Sequence, residues 1–412
     1  MMSITEMKKT VIEAGKKLVE SGLIARTWGN VSCRVDDKTF LITPSGRDYL
    51  TLTVDEIVQV NIADLKYDGN VKPSSEKKVH AAVYKIFPEK KFVIHTHQVN
   101  ASVIGSTGLD RIVMDSHHLL GGEVVCAKYA LPSTNSLGKN VEKALTESKG
   151  QAIIMKNHGA LCFGENLEET FTVATELEKF CKQFLEQRYF ELSDKKKFDR
   201  KEMATFALSR AKSVSFRPAN KAQNISLHSE RTEDGFILYN DEIEIKVTNG
   251  ELKVTSISGQ KYSNKKTEEI LNNEVKIHER IYETNRQINY VICEQTPEMM
   301  AMAETNETLR PLLDDFAQVA GTKAKNVTYH PNKIAQALKR SSVVFVENIG
   351  ALCTGKTKDD ALAVGLVTQK AMKAYIGALL FSQNGKVKAI NPIECQLMRF
   401  VYLKSYSKQV EK

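Results

Sequence analysis

The chain has 412 residues, 42% hydrophobic and 26% charged, with a formal net charge of +8. Those totals are those of a soluble globular protein with material for two or three domains. The excess charge lies in short runs such as Lys195-Lys196-Lys197 and Lys265-Lys266, with no aromatic-interleaved basic stripe, so it argues for no nucleic-acid partner and suits an anionic small substrate equally well.

The opening segment, MMSITEMKKTVIEAGKKLVESG, reads as an amphipathic helix with Ser3 and Glu6 placed as a capping box. It has neither the apolar region nor the cleavage site of a signal peptide. No apolar run reaches the length of a membrane span, so no membrane partner is expected. The cysteines at 33, 126, 162, 181, 293, 353 and 395 form no CxxC pair and read as reduced, buried thiols of a cytoplasmic protein.

Trp28-Gly29-Asn30-Val31-Ser32 is a turn feeding a strand. The second arm of a hairpin follows over 39–43 and ends in Thr43-Pro44-Ser45-Gly46-Arg47. A strand is expected over 55–61. Lys72-Pro73-Ser74-Ser75-Glu76 then opens a helix over 76–87, with Glu76 and His80 on one face. Next, Phe92-Val93-Ile94 runs as a buried strand into His95-Thr96-His97. Side chains two apart on a strand share a side, so two imidazoles meet at one spot. His117-His118 precede a short strand over 124–129, and a helix over 136–148 leads to the apolar strand before His158. Three histidines with one coordination position left open is the arrangement of a catalytic rather than a structural zinc. A long amphipathic helix over 168–190 closes this part.

The lysine- and aspartate-rich ELSDKKKFDRKE then marks a boundary. It divides the chain into a catalytic domain over 1–192 carrying the metal site, a linker over 193–202 and a second domain over 203–412. Beyond the linker the pattern repeats. Asn224-Ile225-Ser226 is similar to Asn30-Val31-Ser32. At one constant spacing, Glu274, His278 and Tyr282 fall on Glu76, His80 and Tyr84, and Cys293-Glu294-Gln295 falls on His95-Thr96-His97. Asn348-Ile349-Gly350-Ala351-Leu352-Cys353 matches Asn157-His158-Gly159-Ala160-Leu161-Cys162 in all but one letter. The second copy therefore keeps the packing residues and has Cys293, Gln295 and Ile349 where the first has its three histidines. His80 recurs as His278 in the copy without ligands, and so reads as structural.

Taken together, Gly29-Asn30-Val31-Ser32, Thr43-Pro44-Ser45-Gly46, Pro73-Ser74-Ser75-Glu76, His95-x-His97 and Asn157-His158-Gly159 resemble the class II aldolase/adducin family, its fuculose-1-phosphate aldolase branch above all. The resemblance implies an α/β fold, two tandem three-layer α/β/α domains with mostly antiparallel central sheets, the second degenerate. It implies that His95, His97 and His158 hold a divalent metal, Zn2+ first among the candidates, and that Glu76 is the catalytic acid/base and joins the metal at rest. Asn30, Ser45, Gly46, Ser74 and Ser75 would cradle a substrate phosphate at turns and a helix N-terminus. His117 and His118 are candidates for substrate specificity.

The implied reaction is retro-aldol cleavage of a phosphorylated ketose through a metal-stabilised enediolate. A glutamate at position 76 favours the aldolase over the epimerase branch, which carries an aspartate there; decarboxylases of the family share much of the set. Relatives borrow a tyrosine from a neighbouring subunit, for which Tyr402 and Tyr406 are the candidates here. A homo-oligomer is implied, two chains forming a pseudo-tetramer. The competing class is a non-catalytic scaffold of the adducin kind.

Overall fold

The computed structural model describes residues 2–24, 28–114, 118–218, 225–248, 250–256 and 265–406. The capping box is present: Ser3 Oγ accepts from the Glu6 N–H at 3.2 Å, and the Glu6 carboxylate accepts from the Ser3 N–H at 2.7 Å. It starts α1 (Ile4–Glu20), which buries Val11, Ile12 and Leu18. An antiparallel meander follows, β1 (Gly29–Arg34), β2 (Thr39–Ile42) and β3 (Val58–Asn61). The start of the strand expected over 55–61 is instead a 3-10 turn, Val54–Glu56, closed by a Thr53–Glu56 capping box.

The unit continues through α2 (Lys77–Ile86), β4 (Phe92–Thr96), α3 (Val99–Gly105), β5 (Arg111–Val113), β6 (Glu123–Ala127), α4 (Asn135–Glu147), β7 (Ala152–Met155), β8 (Gly159–Gly164) and α5 (Leu167–Ser193). The strands form one sheet in the order β3-β2-β1-β4-β8-β7-β6-β5, antiparallel throughout except for β6 with β7. Residues alternate between its faces. Phe40, Val60, Val93, Leu161 and Phe163 pack with Val79 and Val83 of α2 and Leu137 and Val141 of α4 in one core. His95 lies two residues beyond Val93, which turns its ring toward the α2 side of the sheet.

The second unit carries α6 (Arg200–Ser209), β9 (His228–Arg231), β10 (Gly235–Tyr239), β11 (Ile243–Thr248), β12 (Glu251–Ser256), α7 (Lys265–Thr284), β13 (Tyr290–Glu294), α8 (Pro297–Ala303), α9 (Asp314–Val319), β14 (Lys325–Val327), α10 (Pro331–Leu338), β15 (Val343–Val346), β16 (Gly350–Gly355), α11 (Lys358–Phe381) and α12 (Pro392–Val401). Its sheet runs β12-β11-β10-β9-β13-β16-β15-β14. The central strands β13 and β16 pair as β4 and β8 do: Cys293 faces Leu352 where His95 faces Leu161. The edges differ. The second meander has one more strand, and the counterpart of β5 shrinks to a single bridge, Leu309 to Ala324.

Compactness divides the chain into a unit that takes in Met1–Asp194 and resumes at Phe400, and a unit of Lys195–Arg399. The stretch without regular structure is shorter than the linker expected over 193–202. Asp199 accepts from the Glu202 N–H at 2.8 Å and caps α6, so a helix begins inside that charged segment.

The structure also moves the repeat register. Ser32 Oγ lies 2.6 Å from His80 Nδ1 and 2.7 Å from the Tyr84 hydroxyl; Ser229 stands at the same 2.6 and 2.7 Å from His278 Nδ1 and Tyr282. Two residues on, Arg34 and Arg231 each donate to the carbonyl of that tyrosine and lie over its ring, at 4.8 and 4.6 Å. Ser229, not Ser226, is therefore the counterpart of Ser32. Asn224 lies outside the described residues.

Candidate metal centre and active site

Three elements deliver the histidines. His95 is the fourth residue of β4 and fully buried. His97 follows the strand end, and His158 sits in the turn between β7 and β8. That turn needs Asn157 in the left-handed region (φ 60), which asparagine tolerates. It also needs Gly159, since a Cβ there would collide with the Thr96 carbonyl across the β4–β8 ladder.

The result is a convergence of nitrogens. His95 Nε2 lies 3.0 Å from His97 Nε2 and 3.1 Å from His158 Nε2. The Glu76 carboxylate is 2.9 Å from His95 Nε2 and 3.0 Å from His158 Nε2. His95 Nδ1–H donates to the Ala160 carbonyl at 2.9 Å, which leaves its Nε2 as the lone-pair nitrogen. Lone pairs this close repel unless a cation lies among them. Zn–N bonds of about 2.05 Å on a tetrahedron put ligand atoms about 3.4 Å apart, close to what is seen. The donor set fits a divalent metal.

Glu76 is the N-cap residue of α2, and its N–H donates to Ser74 Oγ at 3.2 Å. Burial pushes its carboxyl up, but His158 and His95 overcome this and hold it well below the usual carboxylate range. The neighbouring segments around Ser45 and Ser74 are laid side by side by a bridge between Pro44 and Pro73. The Ser45 N–H donates to the Lys72 carbonyl at 2.9 Å, and the Ser74 N–H to the Thr43 carbonyl at 3.0 Å. Gly46 takes φ 68 in this turn. Ser74 is buried and Ser75 exposed. Asn30 is the cross-strand partner of His95 and accepts, through Oδ1, from His80 Nε2. The Tyr49 hydroxyl donates to the Gly29 carbonyl, and burial pushes it up to about 12. Segments far apart in sequence thus meet at the N-terminal end of α2.

His118 is placed elsewhere. His118 is exposed, next to Leu119, whose carbonyl accepts from the Gln151 N–H at the opposite end of β7 from His158. His117 lies outside the described residues, as does the side chain of Tyr406. Tyr402 is half-buried in the π-helical turn Tyr402–Tyr406. Sequence reasoning missed the bond from His80 to Asn30. The available signal was that histidine's proximity to Glu76 on one helix face.

A family model described as "Class II Aldolase and Adducin N-terminal domain" matches residues 9–185 and again 223–376. The chain belongs to the class II aldolase/adducin family, in two tandem copies. Among relatives, L-fuculose phosphate aldolase of Haemophilus influenzae is 31% identical over 45% of this chain and 84% of its own length. The 5-methylthioribulose-1-phosphate/5-deoxyribulose-1-phosphate aldolase of Escherichia coli O45:K1 is 33% identical over 43% and 82%. An L-ribulose-5-phosphate 4-epimerase of Salmonella paratyphi C is 28% identical over 43% and 83%. A solved L-fuculose 1-phosphate aldolase shares 29% identity over 49% of this chain and 94% of its own, with a TM-score of 0.43.

In this class II aldolase-like chain the second copy has no histidine at the positions of His95, His97 and His158. Gln295 Nε2 donates to Ser226 Oγ at 2.6 Å and to the Ile349 carbonyl at 2.9 Å, and burial pushes the Cys293 thiol up to about 12. Glu274 is buried and accepts from the Tyr329 hydroxyl at 2.7 Å.

Proposed function

We propose that the first unit is a divalent-metal-dependent lyase that breaks a carbon–carbon bond of a phosphorylated ketose by retro-aldol cleavage, and that the second unit is non-catalytic. The observation that carries this reading is the convergence of His95, His97 and His158 Nε2 beside the Glu76 carboxylate. A divalent cation held by these imidazoles, zinc by the preference of the donor set, would supply Lewis-acid polarisation of the substrate's carbonyl and hydroxyl oxygens.

The chain's own residues do the rest. Glu76, ionised and within reach of the same point, would take up the proton that the substrate hydroxyl releases as it becomes the aldehyde and return it to the carbon left electron-rich when the bond breaks. Asn30, Ser45, Gly46, Ser74 and Ser75 receive the phosphate at the positive end of α2, without a lysine. The reading includes a homo-oligomer, two chains forming a pseudo-tetramer, and a monomeric mass in solution would remove that part. The reading places the enzyme in the cytoplasm, where its buried cysteines stay reduced.

Similarity to a ribulose-phosphate epimerase sustains a second reading, in which the same cleavage is followed by re-addition. The test is a panel of ketose phosphates incubated with the purified, metal-loaded chain. Release of dihydroxyacetone phosphate or a two-carbon aldehyde supports the lyase; an epimer without released aldehyde supports the alternative. About one metal per chain is expected in elemental analysis, and none would favour a scaffold.

A further inference from the structure

Both units contain the same hydrogen-bonded chain, and they differ only at its end. In the first, Asn30 Oδ1 can only accept, so His80 Nε2 is the donor. His80 is fully buried, and that burial lowers it to about 3, so the ring is neutral with a single N–H. Its Nδ1 therefore accepts from Ser32 Oγ at 2.6 Å, and Ser32 accepts from the Tyr84 hydroxyl at 2.7 Å. The direction of every bond is fixed, from Tyr84 through Ser32 and His80 to Asn30. In the second unit, Tyr282, Ser229 and His278 repeat the geometry, but Leu227 stands two residues before Ser229, in the place of Asn30. His278 Nε2, fully buried, ends without a hydrogen-bond partner among the described residues. The chain from tyrosine to histidine is thus kept where there is no ligand site. The last bond exists only beside the three histidines.

That contrast divides the work of one side chain. Ser32 and Tyr84 make His80 part of the frame; the bond to Asn30 does something else. A carboxamide presents either an acceptor or two donors, depending on which way it is turned. With Oδ1 held by His80, the Asn30 NH2 group is the end left to face its surroundings. Asn30 is the cross-strand neighbour of His95 and stands beside the segments bridged at Pro44 and Pro73. We propose that His80 is a positioning residue: it locks the Asn30 carboxamide with its NH2 toward the substrate, so that this position donates to an anionic oxygen and cannot repel it.

This inference rests on the phosphate cradle proposed above, and the test separates the two. Inorganic phosphate is titrated calorimetrically into the full-length, metal-loaded chain. His80→Asn places an amide where Nδ1 was, and so keeps the Ser32 contact and loses Asn30. His80→Gln places an amide where Nε2 was, and so keeps the donor to Asn30 and loses Ser32. The expected result is phosphate affinity lowered about tenfold in His80→Asn and restored in His80→Gln. In an Asn30→Leu background the two His80 variants should bind phosphate alike. His278→Asn should shift the melting temperature of the second unit and leave phosphate binding untouched.

Equal affinity in wild type, His80→Asn and His80→Gln would overturn the positioning role while leaving the cradle standing. Losses that follow thermal stability, equal in both His80 variants, would reduce His80 to a structural residue. No binding of phosphate by the wild type would overturn the cradle, and the proposal with it.

Discussion

Glu274 offers the sharpest quantitative test, because it is Glu76 without its histidines. It is 3% exposed, and burial pushes its carboxyl up from 4.5 to about 7, only partly offset by the bond from Tyr329. Below about pH 4.5 folded and unfolded chains both hold the proton, and the group contributes nothing to the pH dependence. Between there and pH 7 the unfolded chain releases the proton while the folded one keeps it, so stability falls as pH rises and levels off above about 7. At about 1.4 kcal/mol per pH unit the loss amounts to about 3 kcal/mol. Glu274→Gln keeps an oxygen for the Tyr329 hydroxyl and removes the charge. It should gain less than about 1 kcal/mol at pH 5 and about 3 kcal/mol at pH 8.5, or roughly 6–12 °C in the second unit's melting temperature. Scanning calorimetry of the full chain at both pH values reads this directly. An equal effect at the two pH values, or a loss at pH 8.5, would refute the reasoning.

Glu76→Gln should retain the metal, by elemental analysis, and lose about 10²–10⁴-fold in kcat, since it removes the proton carrier and spares the three imidazoles. His95→Ala should take the metal content from about one per chain to near zero and abolish turnover with it; residual turnover at normal rates would contradict the assignment. Gly159→Ala should destabilise the first unit by about 1–3 kcal/mol, through the collision with the Thr96 carbonyl, and reduce metal affinity in the same preparation. Calorimetry and a chelator competition check the two halves of that statement.

The histidine cluster was legible because its determinants are local. His95 and His97 sit two apart at a strand end, so strand periodicity puts both rings on one side, and His158 follows an apolar strand at a turn that Asn157 and Gly159 shape. Glu76 was singled out by the family resemblance, the residues alone showing only the turn that opens its helix. The counterpart of Ser32 was misplaced because Ser226 stands two residues after an asparagine and so matches by letters, whereas Ser229 matches by contacts with His278 and Tyr282. Register across a sheet is set by pairing partners, and here the flanking meanders differ by a strand. The tie between His80 and Asn30 was hidden for a similar reason. It joins residues on different elements, and a histidine common to both copies looked like frame alone. His118 lies elsewhere in the unit, in a turn at the far end of β7 from His158.

The tyrosine–serine–histidine chain, built twice to the same 2.6 and 2.7 Å, means that every molecule is made with its own blank. Temperature, pH or denaturant acts on two near-duplicate frames in one tube. A response confined to the first can be assigned to its ligand chemistry without recourse to a second preparation.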